Sequence, residues 1–220
     1  MDVVTVTADA ESFTCNAYLA LGERDVLVDA GAMPGVEDVV AEHTDSLDAV
    51  VLTHQHGDHV QELDAVLDAF GAELYAYADH PRRTHEIADG DEVAIGDESF
   101  DVVHTPGHAD DHVSLLSEST IFSGDVVVHD DGAFDYGSFG RTDMAGQSRE
   151  VLIESIERIL ERLPDSVSAS EASAGSSDRR SDGVEHMYAG HGDEFHGDVE
   201  DVIRTALERA EKREPKYPDE

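Results

Sequence analysis

Short apolar, β-branched runs alternate with segments of helical period along most of the chain. Asp2-Val3-Val4-Thr5-Val6-Thr7 and residues 16–21 read as strands, and Val26-Leu27-Val28 as a third, closed by the turn signal Asp29-Ala30-Gly31. Val36, Val39 and Val40 mark a short helix, and Asp48-Ala49-Val50-Val51-Leu52 has the continuous apolar character of a buried strand. Val60, Leu63, Val66, Leu67 and Phe70 then fall on one helical face. Residues 73–77 are strand-like, 79–90 are polar and without a period, and 92–95 with 99–103 form a hairpin about Gly96-Asp97. Strands at 113–116 and 120–122 follow, then a Gly- and Asp-rich connection over 126–146. Leu152, Ile156, Ile159, Leu160 and Leu163 keep a helical period that Pro164 ends. His186-Met187-Tyr188 is a last strand, and Val199, Val202, Ile203, Ala206, Leu207 and Ala210 line a last helix.

The strands fall in two clusters, 2–52 and 73–122 plus 186–188, with helices between. This predicts an α/β (α+β) chain of two packed sheets with helices outside. Its 220 residues suit one domain over 1–220. Residues 165–183, rich in Ser, Ala, Asp and Gly, read as a flexible insertion, because core-like sequence resumes after them. Residues 213–220 read as a frayed tail.

Charge changes the picture of the surroundings more than that of the fold. The chain carries 51 acidic against 14 basic residues, net −37, and its only lysines are Lys212 and Lys216. Such a chain repels itself in ordinary buffer, whereas at molar salt the Debye length shrinks to about 3 Å. The acidity is spread through periodic, apolar-patterned segments and is therefore not that of a disordered tail. The composition resembles that of salt-accumulating halophiles. Nucleic acid is disfavoured as a partner by the lack of a basic stripe. Cys15 alone allows no internal disulfide, Met1-Asp2 opens no signal peptide, and no apolar run approaches the roughly 18 residues of a membrane span. A cytoplasmic setting away from membranes is expected.

The chemistry concentrates in Thr53-His54-Gln55-His56-Gly57-Asp58-His59, a loop between a strand and a helix. Alternate side chains of an extended segment point the same way, so His54 and His56 can grip one ion. Asp58 and His59 follow where the chain turns into the helix and can face a second, with Gly57 permitting the bend. Further donors stand beyond strand ends: His108 after Thr105-Pro106-Gly107, Asp125 after Ser123-Gly124, and His191 between Gly190 and Gly192. His104 and His112 flank His108 and read as supporting or core groups, and His80 and His85 as solvent-facing. His43, His129, His186 and His196 are given no role.

The collinear set T-H-x-H-x-D-H, T-P-G-H, S-G-D and G-H-G resembles the metallo-β-lactamase superfamily over roughly residues 3–200. Within it, the chain is most similar to small proteins like hydroxyacylglutathione hydrolase (glyoxalase II) and to persulfide dioxygenases. The resemblance implies a four-layer αββα sandwich and two divalent metal ions. His54, His56 and His108 would hold one ion, Asp58, His59 and His191 the other, and Asp125 would bridge them around a shared hydroxide. Asp58 would also take part in catalysis. The Cys-free donor set suits Zn²⁺, with Fe or Mn as competitors. Hydroxyacylglutathione hydrolases usually add a C-terminal helical domain that helps bind glutathione, but only about 29 residues follow His191. Gly140-Arg141-Thr142-Asp143 instead resembles an element of persulfide dioxygenases and short glyoxalase-like proteins.

The expected activity is hydrolysis of a small thioester. The alternative is oxidation of a persulfide at a single Fe(II). Arg141 either orients a substrate carboxylate as a bidentate donor or pairs with Asp143 or Asp135. Tyr136 and Phe139 are weighed as pocket-lining or packing residues, with Tyr136 kept beside Arg141 as a candidate for substrate binding.

Overall fold

The computed structural model describes residues 1–164 and 183–213. Strands β1 (Asp2–Thr5), β2 (Tyr18–Leu21), β3 (Val26–Val28), β4 (Ala49–Val51), β5 (Glu73–Ala76) and β6 (His85–Glu86) form one sheet in that order. Its first three strands are antiparallel and β3 to β6 run parallel. Helices α1 (Val36–His43), α2 (Gly57–Val60) and α3 (Leu63–Phe70) lie in its crossovers. The second sheet holds β7 (Glu92–Ile95), β8 (Glu98–His104), β9 (Val113–Leu116) and β10 (Thr120–Gly124), extended by β13 (His186–Ala189) and β14 (Phe195–His196). β13 pairs parallel with β10, so both strands end on one rim. A small ribbon of β11 (Val127–Val128) and β12 (Ser138–Phe139) precedes helices α4 (Arg149–Arg162) and α5 (Val199–Lys212).

Alternation along the strands explains the layering. Tyr18, Ala20, Val26, Val28, Ala49 and Val51 face Phe100, Val102, Val113, Leu115 and Phe122 between the sheets. Their neighbours Leu19, Leu27, Val50 and Leu74 face the other way, onto Val36, Val40, Leu63, Val66 and Leu67 of α1 and α3. A third core packs Val103, Leu116, Ile121 and Met187 under Ile156 and Ile159 of α4 and Val202 and Ile203 of α5. Helices, sheet, sheet and helices thus make the expected αββα sandwich. Inner strands covered on both faces read as unbroken apolar runs for this reason, and each fully buried Leu, Val or Phe stabilises by about 1.5–3 kcal/mol.

Several boundaries differ from the sequence reading. β5 belongs to the first sheet, paired in parallel with β4, and not to the later cluster of strands. The predicted first strand stops at Thr5, since Thr7 turns to accept from Ala17 N and to donate to Cys15 O through its hydroxyl. The helix predicted from Val60 is two helices, α2 and α3, with Gln61 and Glu62 between. The polar stretch 79–90 contains β6, and the 126–146 connection contains β11 and β12, all too short to show a period. The predicted insertion 165–183 and tail 213–220 lie outside the described residues, apart from Gly183 and Arg213. None of the described helices is long and apolar enough to cross a membrane.

Basic side chains are spread thinly among the acids. Arg82, for example, meets both Asp64 and Asp68 on the surface, and exposed pairs of this kind contribute little. The net charge of −37 must be screened by the solvent. The thermal midpoint is therefore expected to rise steeply between low and molar KCl, as followed by circular dichroism. A flat profile would remove the halophilic reading.

Candidate metal centre

The rim where the parallel strands end collects the chemistry. β4 leads through Leu52 and Thr53 to His54, β10 to Asp125, and β13 through Gly190 to His191. His108 sits in the connection between β8 and β9. All seven residues expected as ligands come together there. His54 Nε2 is 3.0 Å from His56 Nδ1, and His108 Nε2 is 2.9 Å from the same atom, which makes one tight trio. Asp58, His59 and His191 form a second group, with His191 Nε2 3.2 Å from Asp58 Oδ2. Asp125 stands between them: its Oδ2 is 3.3 Å from His108 Nε2 and 3.4 Å from His191 Nε2. Its Oδ1 is 3.5 Å from His59 Nε2.

Two of these buried atoms, His59 Nε2 and Asp125 Oδ1, have no hydrogen-bond partner. Buried polar atoms are normally satisfied, and both face the space that a cation would fill. Each group's donor atoms lie within 4.8 Å of one another, and the imidazole and carboxylate donors suit Zn²⁺, Fe or Mn. The residues therefore fit a dinuclear metal site. In the protein alone, burial favours the neutral form of Asp125, but the charges and hydrogen bonds of His59 and His191 outweigh it and hold the carboxyl well below its usual range. Burial likewise opposes protonation of His191, yet hydrogen bonds to Asp125 and Asp58 push it up to about 9. Asp125 and Asp58 thus stay ionised among the imidazoles.

Supporting groups fix the ligands from behind. Asp29, at φ 59°, accepts from His59 Nδ1 at 2.8 Å, from Thr53 N at 2.8 Å and from Thr53 Oγ1 at 2.7 Å. This leaves His59 Nε2 as the free ring nitrogen. His108 Nδ1 donates to Arg141 O at 3.0 Å. His112 is wholly buried: burial pushes its pKa down to about 3, its Nδ1 lies 2.8 Å from Thr105 Oγ1, and its Nε2 accepts from Asp125 N. His112, expected as a supporting or core group, is buried and also accepts from the backbone of Asp125. His104 instead stacks on Tyr77 at 4.3 Å and bonds Asp110 O, away from the ligands.

Two glycines make room for the centre. A Cβ on Gly190 would lie 2.1 Å from Asp125 Oδ1, and one on Gly124, at φ +53°, would lie 2.4 Å from His112 Nε2. Gly57, by contrast, has open space around it and no left-handed φ, so the bend into α2 does not require glycine.

The centre opens into a cavity of about 930 Å³ whose lining includes His56, Asp58, His108, Asp125, His191 and Arg141. His54 and His59 close it from behind, both buried. Residues between β1 and β2 form another wall, tied down by Asn16, whose Nδ2 donates to Ala189 O and Gly192 O, and by Tyr18 Oη, which donates to Ala189 O. Arg141 lines the cavity and also pairs with Asp143 through two 2.8 Å bonds. Tyr136 is not among the lining residues. Its hydroxyl donates to Asp201 on α5 and its ring packs on the third core, because β11 and β12 turn that loop toward α5. Phe139 is fully buried in the same core. Asp29 is the supporting residue that the sequence reading missed. A turn signal was all it offered.

The family model of the metallo-beta-lactamase superfamily matches residues 11–171. The chain belongs to this superfamily. A hydroxyacylglutathione hydrolase from Hydrogenovibrio crunogenus is 35% identical over 108 residues, 48% of this chain and 40% of that protein. The chain spans about two-fifths of the length of the first curated relatives it matches. Among solved structures, ETHE1 from Myxococcus xanthus superposes with a TM-score of 0.67 at 25% identity, covering 96% of this chain and 91% of that one. The BLEG-1 B3 metallo-beta-lactamase gives 0.60 at 26% identity, covering 83% and 88%. Metallo-β-lactamase-like chains thus share this sandwich, and the seven convergent side chains sit on its rim.

The Asp29 contact carries its own prediction. Asp29→Asn would face a donor N–H with an amide in place of one carboxylate oxygen, loosening the hold on His59. Metal affinity is expected to fall by roughly 10–100-fold, read by competition with a chromophoric chelator. Unchanged affinity would show that Asp29 does not set the orientation of His59.

Proposed function

We propose that the chain is a dinuclear metal-dependent hydrolase of small thioesters, similar to glyoxalase II. The observation that carries this reading is Asp125, whose two oxygens address both groups of donors while Oδ1 is left without a partner. The relatives named hydroxyacylglutathione hydrolase support the substrate class. His54, His56 and His108 would hold one ion, Asp58, His59 and His191 the other, and Asp125 both. Two such ions would lower the pKa of a bound water to about 7 and polarise a carbonyl. The side chains do the rest. The cavity in front of His56, His108 and His191 leaves room for the thioester carbonyl beside the centre. Burial works against ionised Asp58, but His191 and His59 outweigh it, so its carboxylate stays charged and accepts a hydrogen bond from the attacking water. The water gives up a proton to solvent, a C–O bond forms, the C–S bond breaks, and a thiol of pKa about 8.5 departs as thiolate without needing a strong acid, leaving a carboxylic acid that ionises. Zn²⁺ suits the donors, with Fe or Mn as alternatives. A cytoplasmic, high-salt setting belongs to the same proposal and is supported by the lone Cys15 and the charge of −37.

The persulfide dioxygenase reading is kept as the second, supported by the Gly140-Arg141-Thr142-Asp143 element and by the match to ETHE1 over 96% of the chain. Metal analysis of protein purified without added metal, with thioesterase and oxygen-consumption assays on the same sample, separates the two. Two ions per chain and thioester cleavage are expected. One iron per chain with oxygen uptake on a persulfide would overturn the hydrolase.

A further inference from the structure

Among the described residues, Phe13 and Met144 are the large hydrophobic side chains left exposed, at 76% and 56%. They are far apart in sequence, one between β1 and β2 and the other before α4, yet both line the cavity over the metal centre. Scattered exposed apolar residues need no explanation, but two that converge on one cavity mark a contact surface. Phe13 is held in place, its ring stacked on that of His191 at 5.1 Å and 19°. Met144 closes a turn with Gln147, each backbone or side chain bonding the other. Arg141 is the one arginine or lysine among the described lining residues, and Asp143 already engages its guanidinium on two nitrogens. Asp130, Asp131 and Asp193 also face the cavity. A carrier with several carboxylates would find only Arg141, already engaged by Asp143, as a cationic partner on this wall.

We infer that the outer part of the cavity takes an uncharged apolar group of the substrate, gripped by Phe13 and Met144, in preference to the carboxylates of a glutathione-type carrier. This rests on the thioester reading above and names the substrate class of the same site. The apolar group can belong to the acyl side or to the thiol. Burying each methylene is worth about 0.8 kcal/mol, and Met adapts to varied apolar shapes, so a benzyl-sized group should raise kcat/KM at least tenfold.

Two series of thioesters on the metal-loaded protein in molar KCl test it. One varies the thiol at a fixed acetyl group: 2-mercaptoethanol, benzyl mercaptan, glutathione. The other varies the acyl group on 2-mercaptoethanol: acetyl, hexanoyl, phenylacetyl. At least tenfold preference for the apolar member is expected in one series, which identifies the side that is gripped, with the glutathione ester the poorest of its own. Met144→Ala and Phe13→Ala should each reduce that preference, and the double variant should bring it within about threefold. Met144→Ala guards against disturbance of His191, since Met144 does not stack on a ligand, and metal content is measured on every variant. Preference for the glutathione ester, or an apolar preference that survives in the metal-loaded double variant, would overturn the inference while leaving the hydrolase intact. No cleavage of any ester by wild type would overturn the hydrolase reading and this inference with it.

Discussion

Replacing Asp125 by Asn is expected to leave the chain folded in molar salt but with fewer than two metal ions, and to lower thioester hydrolysis by several orders of magnitude. The substitution keeps size and removes charge. Asp125 is buried, and its oxygens lie within 3.5 Å of donors from both groups, on His59, His108 and His191. An imidazole holds one ion, whereas a shared carboxylate contacts two and offsets their repulsion. An amide offers one neutral oxygen and turns an N–H₂ toward the second ion. His191→Ala should be milder, because His54, His56 and His108 form their own trio. It should spare the first ion and weaken the second. Metal-to-protein ratios and both activities, measured side by side, decide the matter. Two tightly held ions in Asp125→Asn would remove the bridging role. One iron per chain with persulfide-dependent oxygen uptake that survives His191→Ala would replace the hydrolase by its alternative.

Adding a single methyl at Gly190 is expected to have an effect nearly as large. The new Cβ would lie 2.1 Å from Asp125 Oδ1 and 2.9 Å from His59 Cε1, far inside contact distance. Gly190 is not in the left-handed region, so alanine meets no backbone penalty of its own and the crowding falls on the ligands. Asp125 or the backbone after β13 must move. Occupancy by two ions should fall at least tenfold in apparent affinity, with circular dichroism and the thermal midpoint of the metal-free protein near those of wild type. Normal metal binding by Gly190→Ala would mean that the approach of Gly190 to Asp125 is looser than described.

Much of this was legible in the chain itself, for a physical reason. The ligands stand just past runs such as Ala49-Val50-Val51 and Thr120-Ile121-Phe122, whose apolar, β-branched character announces buried strands, and the histidine spacing needs no tertiary information. The supporting contacts were less visible. Asp29 meets Thr53 and His59 across 24 and 30 residues, and nothing local to Asp29-Ala30-Gly31 distinguishes a buried acceptor from a turn. Phe13 lay in a stretch without period, where exposure depends on how Asn16 and Tyr18 pin the loop to β13. Tyr136 drew attention through its nearness in sequence to Arg141, but two-residue strands, too short to leave a pattern, send the pair to different places.

The centre draws on widely separated parts of the chain. The donors of residues 53–59 lie between β4 and α3, while His191 follows β13, which joins the second sheet between β10 and β14. During synthesis the first trio and Asp125 are available long before residue 191 emerges, so a nascent chain can capture one ion well ahead of the other. On the two-ion reading, the second ion would tie the segment after β13 to residues 58 and 59 of the first sheet's loop. Ligands that bind only the native state stabilise it by mass action, so loading with metal is expected to raise the thermal midpoint and to protect β13 and β14 from exchange.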